Sequence, residues 1–304
     1  MSHGGNVLVG MDFSASARSA LREGVRIASR RGVELHVVHV IDGAVLEELA
    51  EATGLSREEI EKDAILAGEE KIRDEVSQAG PGGKGAKAVA IVGEPLKELL
   101  RHGKKVGAGL YIAGERGSGT MGSGVGGVAL GLARKAEGCV LVVEEGHFGP
   151  FARVAALVDF SETSREALRE AARIAKGDGA ELWVVHAFAP PWEVVHYRAP
   201  TPEAKPDYQA EYRRTLKSRL EALAKEACGE YGGEARVHLV ESGSIAGGIV
   251  KDLREHEVGL AVVGTRGRST LRALLLGSVA ERILREAHCA VMAVKPSGFR
   301  FDVD

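Results

Sequence analysis

The chain has 304 residues, which is enough for two domains of ordinary size. Its 44% hydrophobic and 27% charged residues are typical of folded globular proteins and exclude disordered, collagenous and coiled-coil classes. The formal net charge of −3 provides no overall positive field to hold a nucleic acid or an anionic membrane. Neither a signal-peptide pattern nor an apolar run of membrane-spanning length is present. The three cysteines form no C-x-x-C pair, so we expect a cytoplasmic protein without a disulfide framework.

The first half of the chain is repeated in the second half. Residues 12–39 and 159–186 are identical at 17 of 28 positions when they are aligned at an offset of 147. Further along the chain the offset is 150, which aligns 114–117 with 264–267 and Cys139 with Cys289. A period of this length is typical of duplicated domains, because each unit can close its own core. We therefore expect one domain at 1–146 and a second at 151–304.

The first half alternates apolar runs of strand length with helical patterns. Strands are predicted near 6–11, 34–41, 86–92, 109–113 and 139–144. Ser56 and Glu59 form a capping-box pattern, which predicts the start of a long second helix. The glycine-rich stretch 78–85 is expected to be a flexible turn, and residues 144–150 are expected to join the two domains.

The second half repeats this alternation, with strands predicted at 154–158, 182–185, 237–240, 260–263 and 290–294. Ser161 is placed to cap a helix over about 162–176, which Gly177 and Gly179 end. Further helices are predicted over about 207–229, from Ile245, and over 278–286. Five of the nine prolines lie between residues 190 and 206, which predicts a surface loop there.

Five apolar strands joined by helical crossovers predict the fold class of each half. A continuous apolar strand buries both of its faces, as in parallel sheets that are covered by helices on both sides. We therefore predict an α/β protein with two tandem, doubly wound, open parallel five-stranded sheets of the Rossmann-like type.

The topology also predicts where a ligand would bind. In an open parallel sheet, ligands occupy the crevice at the carboxyl ends of the strands, next to the first and fourth strands. Asp159 follows the first strand, Gly264 and Gly267 follow the fourth, and Gly277-Ser278 opens the next helix. Glycines let the backbone approach a phosphate, and a helix N-terminus and a serine hydroxyl stabilise its charge. This pattern predicts a cradle for a nucleotide phosphate, with Asp159 accepting hydrogen bonds from ribose or adenine.

The spacing Gly264-x2-Gly267-x9-Gly277-Ser278, with Asp159 after the first strand and His186 at the end of the second, resembles the ATP-binding branch of the universal stress protein family. The resemblance covers essentially the whole chain and implies strand order 3-2-1-4-5 in each domain. It implies a stress-response regulatory protein that binds ATP or AMP, with or without Mg²⁺. The cofactor-binding residues that it implies are Asp159, Ala187, Val263, Gly264, Arg266, Gly267, Gly277, Ser278 and Val279.

In these implied roles Asp159 and Ala187 contact the adenine or ribose, and Val263, Gly264 and Arg266 border ribose and phosphates. The remaining four residues donate hydrogen bonds to the phosphates. The resemblance also implies an intramolecular pseudo-dimer through the fifth strands and leaves open a homodimer of the whole chain.

The first domain departs from the family pattern. Val128 follows Gly127 where a serine or threonine is expected, and Glu115 replaces Thr265. The loop 117–127 is also rich in glycine, so ordering it around a ligand costs more backbone entropy. We therefore expect a weakened or empty nucleotide site in the first domain and a working site in the second.

Other functions have less support from the residues. The G-x-G-x-x-G match at 117–122 follows the fourth strand rather than the first, which disfavours a dinucleotide site. The chain has no Walker A lysine and no identifiable general base, so fast ATPase or kinase chemistry is disfavoured. A slow ATP hydrolase and a nucleotide-free scaffold are the remaining alternatives, and an enzyme is less favoured than a binding protein.

Several single residues also have a structural interpretation. We interpret the matching histidines and cysteines as buried groups rather than catalytic, metal-binding or redox groups: His39, His186, Cys139 and Cys289. Arg266 and Arg268 flank the predicted cradle and are candidates to contact phosphate.

Overall fold

A computed structural model describes residues 4–117, 125–147, 149–192, 206–229, 231–267 and 276–301. The chain forms two compact units, one comprising Met1–Gly149 with Gly298–Asp304 and the other Pro150–Ser297. The last described residues therefore belong to the first unit, where Arg300 and the backbone N–H of Phe301 contact the Glu137 carboxylate at 3.1 and 3.3 Å. None of the helices in the described ranges combines the length and the apolar character that crossing a membrane requires.

The first unit alternates strands and helices. Its strands are β1 (Asn6–Gly10), β2 (Leu35–Ile41), β3 (Lys87–Val92), β4 (Ala108–Gly114) and β5 (Cys139–Val143). Its helices are α1 (Ala15–Arg31), α2 (Gly43–Thr53), α3 (Arg57–Gln78), α4 (Pro95–Val106) and α5 (Gly127–Lys135), and a 3₁₀ turn spans Pro81–Gly83. The strands pair in parallel in the order β3-β2-β1-β4-β5.

The second unit has the same architecture. Its strands are β6 (Arg153–Leu157), β7 (Glu181–Phe188), β8 (Arg236–Glu241), β9 (Leu260–Gly264) and β10 (Ala290–Val294). Its described helices are α6 (Glu162–Asp178), α7 (Pro206–Ala227), α8 (Ile245–Glu255) and α9 (Ser278–Glu286). The parallel order β8-β7-β6-β9-β10 is again 3-2-1-4-5 within the unit. The predicted fold class is thus confirmed.

Helix boundaries in the two units follow from equivalent capping residues. Ser14 and Ser161 accept hydrogen bonds from Ala17 N and Ser164 N at 3.2 Å and begin α1 and α6. Gly32 and Gly179 end these helices with φ angles of 65° and 66°, a conformation that glycine adopts without strain.

Some helix boundaries differ from the sequence-based expectation. Gly177 lies inside α6, so Gly179 alone ends that helix. Pro206 is the first residue of α7 rather than the end of the preceding loop, because the first helical position needs no N–H donor. The rest of the proline-rich segment, 193–205, lies outside the described residues.

The first unit also contains a helix that the sequence patterns did not separate. Helix α2 is capped by the Asp42 side chain, which accepts from Ala44 N at 2.9 Å, and it ends at Gly54 with a φ of 72°. Only Leu46 of this helix is buried, and Val45 and Leu49 are exposed, so the helix packs little of its apolar surface against the core. The predicted capping box at Ser56 and Glu59 begins α3 as expected.

The central strands explain where a crevice opens. In each sheet the first and fourth strands are neighbours, β1 beside β4 and β6 beside β9. The crossovers run in opposite directions from this pair, so the following loops separate at the carboxyl ends of the strands. The core strands are almost fully buried, and the residues that leave them at this edge are held by a rigid frame.

Candidate functional site

The nine predicted site residues lie together in the second unit. They line one cavity of about 230 Å³ at the carboxyl ends of β6, β7 and β9, beside the first turns of α8 and α9. The same cavity is lined by Ser164, Ile245 and Ile249, which the sequence patterns did not identify as site residues. The two isoleucines could have been predicted from the sequence, because they lie at the start of the helix that follows the third strand, at the same edge of the sheet.

Asp159 is oriented by the serine two residues later. Its Oδ1 accepts hydrogen bonds from Ser161 N at 3.0 Å and from Ser161 Oγ at 2.5 Å. Phe160, between them, has a positive φ of 65°, which is uncommon for a residue other than glycine. Its ring lies 4.6 Å from the ring of His186, and the Arg219 guanidinium lies 4.1 Å above it. These contacts hold the turn in which Asp159 faces the cavity.

Two of the glycines are required by close contacts inside the protein. A Cβ at Gly267 would lie 2.8 Å from Asp159 Oδ2, so a side chain there would displace the carboxylate. A Cβ at Gly264 would lie 3.0 Å from Thr163 Cγ2 and 3.3 Å from Ser164 N, at the start of α6. The glycines after the fourth strand therefore allow tight packing, whether or not a ligand is bound.

Backbone N–H groups at the N-terminus of α9 lie at the cavity and have no hydrogen-bond partner among the described residues. The first backbone hydrogen bond of this helix runs from Glu281 N to Gly277 O at 2.8 Å. The N–H groups of Ser278, Val279 and Ala280 therefore precede the helical hydrogen-bond ladder, and no described side chain caps this end. All three residues line the cavity. The arrangement can bind an anion, because the donors and the helix dipole point to the same place.

Gly277 has a different role from these three residues. Its N–H donates to Thr265 O at 2.9 Å and closes the connection between β9 and α9. It is therefore already hydrogen-bonded and positions the donors that follow it, instead of donating to a phosphate as the family resemblance implies. Arg266 also lines the cavity, whereas Arg268 lies outside the described residues.

The histidines near the ends of the second strands bond to the backbone at the end of the first strand. His186 is buried as expected, but His39 is only partly buried and lines the cavity of the first unit, because that cavity opens at the end of β2. His186 Nδ1 lies 2.7 Å from Val158 O, and His39 Nδ1 lies 2.7 Å from Met11 O in the first unit. Each ring joins the second strand to the end of the first strand. Cys139 and Cys289 are buried, and all three cysteines are thiols rather than disulfides.

The first unit contains the equivalent cavity, of about 290 Å³, lined among others by Asp12, Arg116 and Gly127. Asp12 Oδ1 accepts from Ser14 N and Ser14 Oγ at 3.0 and 2.6 Å, as Asp159 does from Ser161. Glu115 forms an ion pair with Arg116, with its Oε1 3.0 Å from Arg116 Nε. Arg116 lines the cavity, so this carboxylate pairs with a cavity residue, whereas its counterpart in the second unit is the buried, uncharged Thr265.

The structure corrects the alignment of the two units after the fourth strand. Gly126 N donates to Glu115 O at 2.7 Å, as Gly277 N does to Thr265 O, so Gly126 corresponds to Gly277. The counterpart of Ser278 is therefore Gly127, and Val128 corresponds to Val279. The expectation that Val128 replaces the serine was wrong by one residue. The same shift places Cys139 opposite Ala290, so Cys139 and Cys289 are not equivalent.

Known proteins resemble the chain in both halves. The model for the universal stress protein family matches residues 5–144 and again 150–295. A universal stress protein of Mycolicibacterium smegmatis is 28% identical over 304 residues, covering 95% of this chain and 97% of its own. One from Methanocaldococcus jannaschii is 31% identical over 137 residues, covering 45% of this chain and 78% of its own. The crystal structure of a universal stress protein from Archaeoglobus fulgidus has the same fold, with a TM-score of 0.61, 22% identity and coverage of 95% and 97% of the two chains.

Proposed function

The chain belongs to the universal stress protein family, and from that premise we propose that its second unit binds an adenine nucleotide, ATP or AMP, as the ligand of a stress-response regulatory protein. The observation that carries the proposal is the uncapped N-terminus of α9, whose Ser278, Val279 and Ala280 N–H groups face the cavity. Phosphate is the nucleotide group that such a helix end stabilises best.

The remaining lining residues suit the other parts of a nucleotide. Ala187, Val263, Ile245 and Ile249 provide an apolar wall for a flat base. Asp159 presents a carboxylate that accepts hydrogen bonds from a ribose hydroxyl or the adenine amino group. Arg266 adds a positive charge on the phosphate side of the cavity.

Mg²⁺ would enter this site together with ATP. Mg²⁺ keeps several waters and is held by one or two carboxylates and by the substrate phosphates. Among the described lining residues Asp159 supplies a carboxylate, so the site fits a nucleotide-borne ion better than a resident one. The ion would neutralise phosphate charge.

Binding is favoured over rapid hydrolysis. A general base has to lie within hydrogen-bond reach of an attacking water. Asp159 Oδ1 is already engaged by both Ser161 donors, and the other described lining residues include no histidine and no further carboxylate. The nucleotide is therefore proposed to act as a bound signal whose occupancy alters the surface of the second unit.

The proposal includes a cytoplasmic location. All three cysteines are thiols, and burial raises the pKa of the Cys228 thiol to about 11, which keeps it protonated and unreactive. Unpaired, mostly buried cysteines are typical of proteins in a reducing compartment.

Isothermal titration of the full chain with ATP, AMP and GTP tests the proposal. We expect saturable binding of ATP or AMP and weaker binding of GTP, whose base lacks the amino group at the position that Asp159 would read. Ser278→Ala removes one hydroxyl donor and should weaken binding roughly fivefold, equivalent to about 1 kcal/mol.

Gly127→Ala in the first unit is the matched control. A Cβ there meets no atom within 4 Å, and the residue occupies the position equivalent to Ser278, so affinity should not change. Absence of heat with any nucleotide would refute the proposal. If Gly127→Ala lost nucleotide binding and Ser278→Ala kept it, the site would lie in the first unit and the proposal would be wrong. Steady phosphate release above the protein-free rate would favour a slow hydrolase.

A further inference from the structure

A second group of side chains converges in the second unit, and none of its members is among the described residues that line the proposed nucleotide cavity. His238 lies on β8, Asp252 lies on α8, and His256 immediately follows α8. Their ligand atoms all lie within 4.8 Å of one another. Asp252 Oδ1 is 2.8 Å from His238 Nε2 and 3.3 Å from His256 Nδ1.

We propose that His238, Asp252 and His256 form a binding site for a divalent transition-metal cation, with zinc as the best fit. Zinc binds imidazole nitrogen and carboxylate oxygen at about 2.0–2.2 Å in tetrahedral geometry. Two ligands of such a tetrahedron are therefore separated by roughly 3.3–3.5 Å. The separation of 3.3 Å between Asp252 Oδ1 and His256 Nδ1 matches this value, whereas His238 Nε2 lies 2.8 Å from Asp252 Oδ1, at hydrogen-bond distance. Side-chain rotations that move His238 Nε2 away from the carboxylate oxygen by about 0.5 Å would complete three of the four positions.

Secondary structure places the three donors on one side. Asp252 and His256 are four residues apart at the end of α8 and therefore share a helix face. His238 is brought to them because β8 lies at the edge of the unit's sheet, with α8 packed against β7 and β8. Asp252 lies in the last turn of α8 and His256 is its C-cap residue, and their i, i+4 spacing is that of the two zinc-binding histidines in H-E-x-x-H helices.

Burial differs among the three ligands in a way that suits a metal. The Asp252 side chain is 9% exposed, whereas those of His238 and His256 are 33% and 31% exposed. The carboxylate is thus held inside while the imidazoles border solvent, which leaves a fourth position open to water. The Trp183 ring lies 4.6 Å from the His256 ring and 5.9 Å from the His238 ring and forms an apolar wall beside the site.

The alternative is a hydrogen-bond network without a metal. His256 Nδ1 also lies 3.0 Å from Asp252 O, and with a proton on that nitrogen it donates to the carbonyl. With the proton on Nε2, Nδ1 is available as a ligand. A metal would therefore replace these hydrogen bonds, with deprotonated His238 Nε2 and His256 Nδ1 and the Asp252 carboxylate as its ligands.

The first unit shows that the fold does not need this cluster. Strand pairing aligns Val89 with His238, and the helices align His102 with Asp252 and Val106 with His256. The same β–α packing is therefore built in the first unit without the three donors. His102 there lies 3.4 Å from His36, which makes it a histidine control in an equivalent element.

Titration of the chelator-treated full chain with ZnCl₂ tests the site, with MgCl₂ as a negative control because Mg²⁺ prefers oxygen ligands. We expect saturable zinc binding in the wild type. His238→Ala and His256→Ala should each weaken it by at least about tenfold, and the double variant should lose the saturable phase. His102→Ala should bind zinc as the wild type does.

Circular dichroism and thermal unfolding complete the test. Zinc should raise the unfolding temperature of the wild type and of His102→Ala, and not that of the His238→Ala/His256→Ala variant. The two histidines are partly exposed, so their replacement tests binding even if Asp252→Asn fails to fold. Equal zinc affinity in the wild type and the double variant, or no saturable binding in the wild type, would overturn the proposal. Neither result depends on nucleotide binding.

Discussion

At the residue scale, the identical Asp-Phe-Ser sequences of the two units fold into the same turn. In each, the aspartate Oδ1 accepts from the serine N–H and hydroxyl, and the phenylalanine has a φ of 64° or 65°. The serine oxygen also caps the next helix. One short sequence therefore starts a helix and orients the carboxylate at the crevice, and a change at Ser161 would affect both.

Glu144 is a residue whose charge opposes folding. Its Oε2 is buried and has no hydrogen-bond partner among the described residues. Burial raises the pKa of this carboxyl, and the nearby Glu115 and Glu23 carboxylates raise it further. The folded state therefore favours the protonated form, so stability is lost as pH rises above the ordinary glutamate pKa.

Glu144→Gln should therefore stabilise the chain at neutral pH. The amide carries no charge to bury, and we expect a gain on the order of 1 kcal/mol or less in the free energy of unfolding at pH 7. The gain should shrink as pH falls below about 4, where the glutamate is protonated in both states. Urea unfolding at the two pH values measures it. Glu145→Gln, at the exposed neighbouring position, is the control. Destabilisation by Glu144→Gln alone at pH 7 would contradict the prediction.

At the element scale, the two units fill the space between a helix and the fourth strand with different residue pairs. In the first unit Gly103 on α4 faces Tyr111 on β4, and a Cβ at Gly103 would overlap the tyrosine ring. The tyrosine is 2% exposed, and burial raises the pKa of its hydroxyl to about 12. In the second unit the equivalent positions hold Leu253 and Ala261, both fully buried. The first unit thus pairs a small helix residue with a large strand residue, and the second unit pairs a large helix residue with a small strand residue.

A double-mutant cycle tests this exchange of volume. Tyr111→Ala should cost about 3 kcal/mol or more by leaving a cavity. Gly103→Leu should also destabilise the chain. Its gain in helix propensity is less than about 1 kcal/mol, and the overlap of the new side chain with the Tyr111 ring costs more than that. The double variant should be more stable than the sum of the single effects by at least about 1 kcal/mol, measured by urea unfolding. Additive effects would show that the two positions do not share one space.

Another element-scale difference concerns the connection between the fourth strand and the last helix. It is one residue shorter in the first unit, because Glu115 O to Gly126 N and Thr265 O to Gly277 N are the equivalent hydrogen bonds. A shift of one residue changes which residue presents its N–H and side chain at the helix start. The comparison that matters for the site is therefore Gly127 with Ser278.

At the scale of the whole molecule, the chain has two cavities of the same origin and different chemistry. The cavity of the first unit also lies at a helix N-terminus, but it has Gly127 where the second cavity has Ser278. In the first unit Glu115 also forms an ion pair with Arg116. Because Glu115 pairs with Arg116, it competes with a bound phosphate for the arginine and lowers the expected affinity of the first cavity. We therefore predict one tight nucleotide site per chain.

The stoichiometry of nucleotide titration tests this prediction. A variant that carries residues of the second unit in the first unit provides a second test. Glu115→Thr/Gly127→Ser gives the first unit the residues of the second, and the space at Gly127 accepts a side chain. We expect the number of nucleotides bound per chain to rise from about one toward two, or the weak second phase to tighten several-fold. Two equal sites in the wild type would show that Glu115 and Gly127 do not weaken the first site. The pairing of the two units through their fifth strands, and a homodimer of the chain, stay predictions.

The amino-acid sequence was sufficient to predict the duplication, the five strands of each unit and the edge of the sheet where a ligand would bind, whereas the strand order was implied by the resemblance to the family. These features depend on apolar runs, helix caps and glycines whose spacing can be read along the chain. Topology and glycine spacing predicted that Asp159, the glycines after the fourth strand and Gly277-Ser278 meet at one crevice. The other residues of the predicted site came from the resemblance to the family, and all nine line one cavity.

The packing of distant segments shows which backbone donors are already hydrogen-bonded and which residues of the two units are equivalent. Gly277 N–H is hydrogen-bonded to Thr265, Gly127 rather than Val128 is equivalent to Ser278, and Ile245 and Ile249 complete the cavity wall. The histidines of β8 and α8 meet Asp252 only because a strand and a helix distant in sequence pack together. Loop length and packing between distant segments set these contacts, and neither leaves a periodic signal in the sequence.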